Sequence, residues 1–169
     1  GPRFRLAQMA LDAGDPDKTR KFIKAEHQLD ITDNDVLIAM AGLFLRLAMF
    51  DEATDCLLQV VDEDKENADA FLSLGQTLAL KGEYEGALQF YQHAISLGRK
   101  EPVVLAETAY LYLLNDQPDM ATKTISVARL ADPTNRTARR LHRQIHTTIL
   151  RERIETRLRQ NRLCQKLIL

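Results

Sequence analysis

Few side chains in this 169-residue chain could do chemistry: four histidines, at 27, 93, 142 and 146, and two cysteines, at 56 and 164. Only His142 and His146 have a suggestive spacing, because residues four apart share one face of a helix, as two ligands of one metal ion would. No Asp or Glu stands between them, and Arg139, Arg140 and Arg143 crowd the same turns with positive charge. No metal centre is expected there, and the pair reads as surface or cap residues. The two cysteines are far apart and lack a CxxC spacing, which suits a reduced pair better than a disulfide and offers too few ligands for zinc. His27 and His93 have no partner recognisable in sequence. Without a nucleophile–base arrangement, a phosphate-cradling loop or a paired-carboxylate motif, no catalytic residue is assigned, no cofactor is expected and the chain reads as a non-enzyme.

The elements that would carry such residues are helical. Apolar residues make up 45% of the chain and charged residues 28%, with only 7 Gly and 5 Pro, too little punctuation for an array of strands and tight turns. No apolar run approaches the roughly 18 residues of a membrane span. The opening Gly1-Pro2 resembles the remnant of a cleaved tag, so the natural chain is expected to begin differently.

A repeat of 34 residues organises the sequence. With Asn34, Ala68 and Pro102 at position 1, position 8 reads Ala41, Gly75, Ala109 and position 20 reads Ala53, Ala87, Ala121. Large residues recur at position 4 (Leu37, Phe71, Leu105), position 11 (Phe44, Leu78, Tyr112) and position 24 (Leu57, Tyr91, Ile125). Position 27 holds Val60, Ala94 and Ala128. Small residues at fixed places let two antiparallel helices cross at close range while large ones fill the adjoining layers. This pattern resembles the tetratricopeptide repeat (TPR), which implies an all-α solenoid of antiparallel helix pairs. The expected organisation is a degenerate TPR-like unit over 1–33, three units at 34–67, 68–101 and 102–135, and a basic helix over 136–169. In the first segment Ala7, Ala10, Gly14, Thr19 and Ile23 fall at positions 8, 11, 15, 20 and 24. In the last, Leu141, Ile145, Ile149 and then Leu150, Ile154, Leu158 keep helical spacing.

The net charge of −1 hides an asymmetry: residues 1–135 carry 13 Lys/Arg against 22 Asp/Glu, and residues 136–169 carry 10 against 2. A basic tail could neutralise phosphates, but this one has no aromatic residue to stack on bases, which disfavours nucleic acid. Arg151, Arg157, Arg159 and Arg162 are the candidate tail surface, for an acidic partner or a second copy of the chain. The helix over 136–169 reads either as a cap that covers the last pair or, because about 30 helical residues span some 45 Å and outreach one repeat helix, as an extension whose far end overhangs.

The TPR resemblance also implies a binding groove. The first helices of the pairs line a concave face, to which the units contribute Ile38, Gly42 and Leu45, then Leu72, Gln76 and Ala79, then Ala106, Tyr110 and Leu113. These are mainly apolar. Where TPR co-chaperones carry a carboxylate clamp of Lys, Asn and Arg, this chain has Ile38, Gly42, Ser73, Val103 and Glu107. The groove is therefore expected to take an extended hydrophobic peptide.

Phe71-Leu72-Ser73-Leu74-Gly75, Lys81-Gly82-Glu83-Tyr84 and the junction Lys100-Glu101-Pro102 further resemble class II chaperones of bacterial type III secretion, over about residues 70–149. That resemblance implies a cytoplasmic chaperone, linked to protein transport and virulence, that holds a secreted translocator subunit in its groove. The alternative is an assembly scaffold within a larger secretion or multiprotein complex.

Overall fold

The computed structural model of the chain describes residues 2–29 and 31–167, with side chains as far as Arg159. The described residues form only helices: α1 (Pro2–Asp12), α2 (Pro16–His27), α3 (Asn34–Arg46), α4 (Phe50–Glu63), α5 (Ala68–Lys81), α6 (Tyr84–Ser96), α7 (Pro102–Leu114), α8 (Pro118–Ala131) and α9 (Arg136–Leu167). The expected all-α class, with antiparallel pairs and a long final helix, is the one observed. Two compact units divide the chain. In Gly1–Arg99, α1 packs on α2, α3 on α4 and α5 on α6, while α4 also packs on α5 and α2 touches α3. In Lys100–Leu169, α7 packs on α8, and α9 packs on both.

Side-chain acceptors begin α3, α5 and α9. Asp33 accepts the N–H groups of Asp35 and Val36, Asn67 that of Ala70, and Asn135 that of Ala138. Each satisfies donors that the first turn would otherwise leave orphaned. Pro102 does the same for α7 by having no N–H and a fixed φ.

Each pair turns its corner through a residue with left-handed backbone: Gly14 (φ 74°), Ala48 (56°), Gly82 (86°) and Asp116 (55°), spaced 34 apart. At every corner the next N–H reaches back to the helix, from Asp15 to Ala10, Met49 to Phe44, Glu83 to Leu78 and Gln117 to Tyr112, each at 2.9 Å. This is the Schellman closure, which satisfies carbonyls that the end of a helix leaves open.

Inside each pair the helices meet at small residues. Ala53, Ala87 and Ala121 are wholly buried, as are Val60, Ala94 and Ala128. Thr19 takes the corresponding place in α2, and its hydroxyl donates to the Asp15 carbonyl at 2.8 Å, which removes the cost of burying it. Thr77 and Thr108 are buried with the same bond to the carbonyl four residues back. The crossing is especially close at Gly75. A Cβ there would stand 2.7 Å from Cδ2 of the buried Tyr91 ring and 3.2 Å from the Ala87 carbonyl.

Two opposite effects on stability follow. Gly75→Ala should lose about 1–2 kcal/mol despite the better helix propensity of Ala, because neither a packed ring nor a backbone carbonyl can yield freely. Ala48→Gly should gain about 0.5–1 kcal/mol, since the left-handed backbone penalises a Cβ by more than Gly costs in chain entropy. Urea or thermal unfolding of the two variants beside the parent protein measures both.

Candidate protein-binding faces

In the first unit, α3 presents Ile38 and Leu45, both half-buried, with Gly42 between them and exposed. No heavy atom lies within 4 Å of where a Gly42 Cβ would stand. The result is a notch with an apolar side chain one turn to either side. On α5, Gln76 is exposed and Ala79 half-buried. Leu72 is different: at 7% exposure it belongs to the core, because α4 and α6 both pack on α5. Sequence reasoning also passed over Phe4 and Leu11 on α1. Both are half-buried and stand one 34-residue period before Ile38 and Leu45, so the repeat offset was the signal that could have found them.

In the second unit, Tyr110 and Leu113 on α7 are half-buried. Gln144 of α9 donates to the Tyr110 hydroxyl at 3.1 Å, a bond between residues one period apart. Ala106 has 0% exposure. With α8 and α9 both packed on α7, a single methyl group there reaches no solvent, so Ala106 offers no surface to a ligand. Of the tail arginines, Arg151, Arg157 and Arg159 are exposed, and Arg159 lies 3.9 Å from Glu155 one turn back. The Arg162 side chain lies outside the described residues.

Residues 70–103 match the family model described as tetratricopeptide repeat. Among solved structures, the crystal structure of MamA superposes with a TM-score of 0.72 at 17% identity, over 85% of this chain and 84% of that one. The first TPR of Spaghetti (RPAP3), bound to the HSP90 peptide SRMEEVD, gives 0.65 at 18% identity, over 72% and 97%. This is a TPR fold. YrrB, a TPR protein with an unusual peptide-binding site, gives 0.67 at 13% identity, over 78% of this chain and 68% of that one. No curated protein matches the sequence. TPR folds typically serve as protein-interaction scaffolds, and no described helix is long and apolar enough to cross a membrane.

Packing sets the surroundings of the histidines and of Cys56, while the Cys164 side chain lies outside the described residues. His27, at the end of α2, lies with Nδ1 3.4 Å from Cys56 Sγ and meets Phe44 edge-on at 5.3 Å between ring centroids. A cysteine beside a histidine has the outline of an activated nucleophile, but burial pushes the Cys56 thiol up to about 12, with Asp55 and Glu52 adding to the effect. It stays protonated at neutral pH, and its S–H can donate to the imidazole. His93 packs against Phe71 with ring centroids 4.1 Å apart. Among the described residues no three His, Cys, Asp or Glu gather as a metal site would need.

His142 and His146 lie 4.4 Å apart, ring to ring, and Arg129 of α8 approaches His142 Nε2 at 3.1 Å. That contact is a hydrogen bond only while His142 is neutral and Nε2 holds its lone pair. Burial, then Arg129, then His146 hold the His142 pKa below its ordinary value. The folded chain therefore resists a proton that the unfolded chain takes up, and stability falls as pH drops below about 6.5, the ordinary histidine value. In NMR titration His142 should titrate below 6.5, and Arg129→Gln should move it upward. A His142 pKa that stays put in that variant excludes Arg129 as a cause.

Proposed function

We propose that this chain is a protein-binding TPR chaperone that holds an extended hydrophobic segment of a partner polypeptide on the apolar faces of its first helices. The partner class is a secreted subunit of the type III translocator kind, held in the cytoplasm before export. The Gly42 notch carries this reading: Ile38 and Leu45 are half-exposed on either side of a space that no atom fills. An extended peptide offers side chains at alternate positions, and one of these can enter such a notch. In the second unit Leu113 adds apolar surface beside Tyr110, whose hydroxyl is a polar handle. An acidic peptide such as the SRMEEVD bound by the RPAP3 domain is disfavoured, because Ile38, Gly42, Ser73, Val103 and Glu107 provide no cation to receive a carboxylate. The resemblance to class II chaperones, through Lys81-Gly82-Glu83-Tyr84 and Lys100-Glu101-Pro102, supplies the translocator. A second reading, an assembly scaffold within a larger secretion or multiprotein complex, is favoured by the outward apolar stripe of α9.

Co-expression with a candidate translocator subunit should yield a soluble complex. Leu45→Glu, or Gly42→Leu to fill the notch, should weaken it at least tenfold, about 1.4 kcal/mol, with circular dichroism unchanged. Leu72→Glu is unsuitable, since it would place a charge in the core. A complex that survives both surface variants excludes the α3 face from binding.

A further inference from the structure

We infer that residues 150–159 of α9 form a second docking surface, built for an amphipathic helix with acidic flanks supplied by a protein partner. The argument begins with a change of face along the helix. Ala138, Leu141, Ile145 and Ile149 are buried and recur every three or four residues, so they mark the side of α9 that packs on α7 and α8. Extended by the same spacing, that side continues through Glu152 and Thr156, which are exposed. The apolar residues have moved to the opposite side. Leu150, Ile154 and Leu158 stand in a row at four-residue intervals, 59%, 51% and 52% exposed. At 3.6 residues per turn this row lies about half a turn away from the packed face. It cannot be an unfinished part of the cap, because it points away from the helices that α9 covers.

The borders of the row identify its occupant. Helical geometry places Arg151 immediately on one side and Arg157 immediately on the other, with Arg153 beyond Arg157. The segment holds four arginines and two glutamates, and Glu155 lies near Arg159, 3.9 Å away. A complementary surface carries apolar residues every three or four positions with carboxylates outside them, as an amphipathic acidic helix does. Guanidinium groups at the rim would then meet those carboxylates with two N–H donors each. Glu155 stands beside Arg151 on one border, but an antiparallel second copy would still set the Arg153–Arg157 border against its own copy. A lipid surface is a poorer fit, because the row is one residue wide per turn and residues 136–169 contain no aromatic side chain to anchor at headgroup level.

The experiment uses the full chain and two synthetic helical peptides that share one leucine row, flanked in one by glutamate and in the other by lysine. Binding is followed by fluorescence anisotropy. The glutamate peptide should bind at least tenfold tighter than its lysine twin. Binding should be lost in Ile154→Glu/Leu158→Glu, weakened in Arg151→Ala/Arg157→Ala, and unchanged in Leu45→Glu, which separates this surface from the α3 face. Because the substituted residues of α9 are exposed, circular dichroism of those variants should match the parent. The proposal is overturned by equal affinity for the two peptides, or by binding that Ile154→Glu/Leu158→Glu leaves intact or Leu45→Glu removes. It is equally overturned if the row instead mediates binding to phosphatidylserine vesicles without peptide binding, or self-association seen by sedimentation.

Discussion

The structure depends on how closely two helices can approach at a side chain that is barely there. At Gly75 the approach is so tight that even one methyl group would meet the Tyr91 ring at 2.7 Å, and the single methyl groups of Ala53, Ala87 and Ala121 are wholly buried. Dispersion decays steeply with distance, so this proximity lets Leu57, Tyr91 and Ile125 fill the neighbouring layers at interior density. A larger residue at the crossing would separate the helices and loosen every contact beside it.

Three buried hydroxyls inside the pairs are satisfied locally. Thr19, Thr77 and Thr108 return their hydroxyl protons to their own helices, four residues back. Asn67 and Asn135 close the starts of α5 and α9 from within their own loops. Longer-range polar links lie nearer the surface: Lys24 to Glu52 at 3.3 Å, Lys81 to Asp51 at 2.9 Å, Gln59 to the Ile31 carbonyl at 2.8 Å, and Arg99 to Asp69. The exposed ion pairs among them add little stability and serve register more than strength.

The fold class was legible in the sequence because its cause is steric and periodic. Only a small residue fits a close crossing, and the crossing returns every 34 residues. The corners were legible in part: Gly82 announced a left-handed residue, whereas Ala48 and Asp116 hold the same conformation without glycine. Exposure on the candidate face was harder to read. Leu72 and Ile38 occupy equivalent places in the repeat, yet one is sealed and the other half-open, because packing from flanking helices leaves no periodic mark. Contacts between helices were likewise hidden. His27 and Cys56 meet across α2 and α4, and a separation of 29 positions gives no motif to search for. Both apolar series of α9 could be seen in sequence. Helical geometry alone sets them on opposite sides; which side is packed and which is exposed is seen only in the structure.

The four left-handed corners carry a consequence for how such a chain can change over time. Gly, Ala, Gly and Asp all serve at this place, so side-chain identity there is negotiable. Length is not. One inserted residue would rotate the following helix by about 100°, turn its small residues away from the crossing and break the closing bond. Drift in these corners should proceed by replacement, while insertions and deletions settle in the connections between pairs.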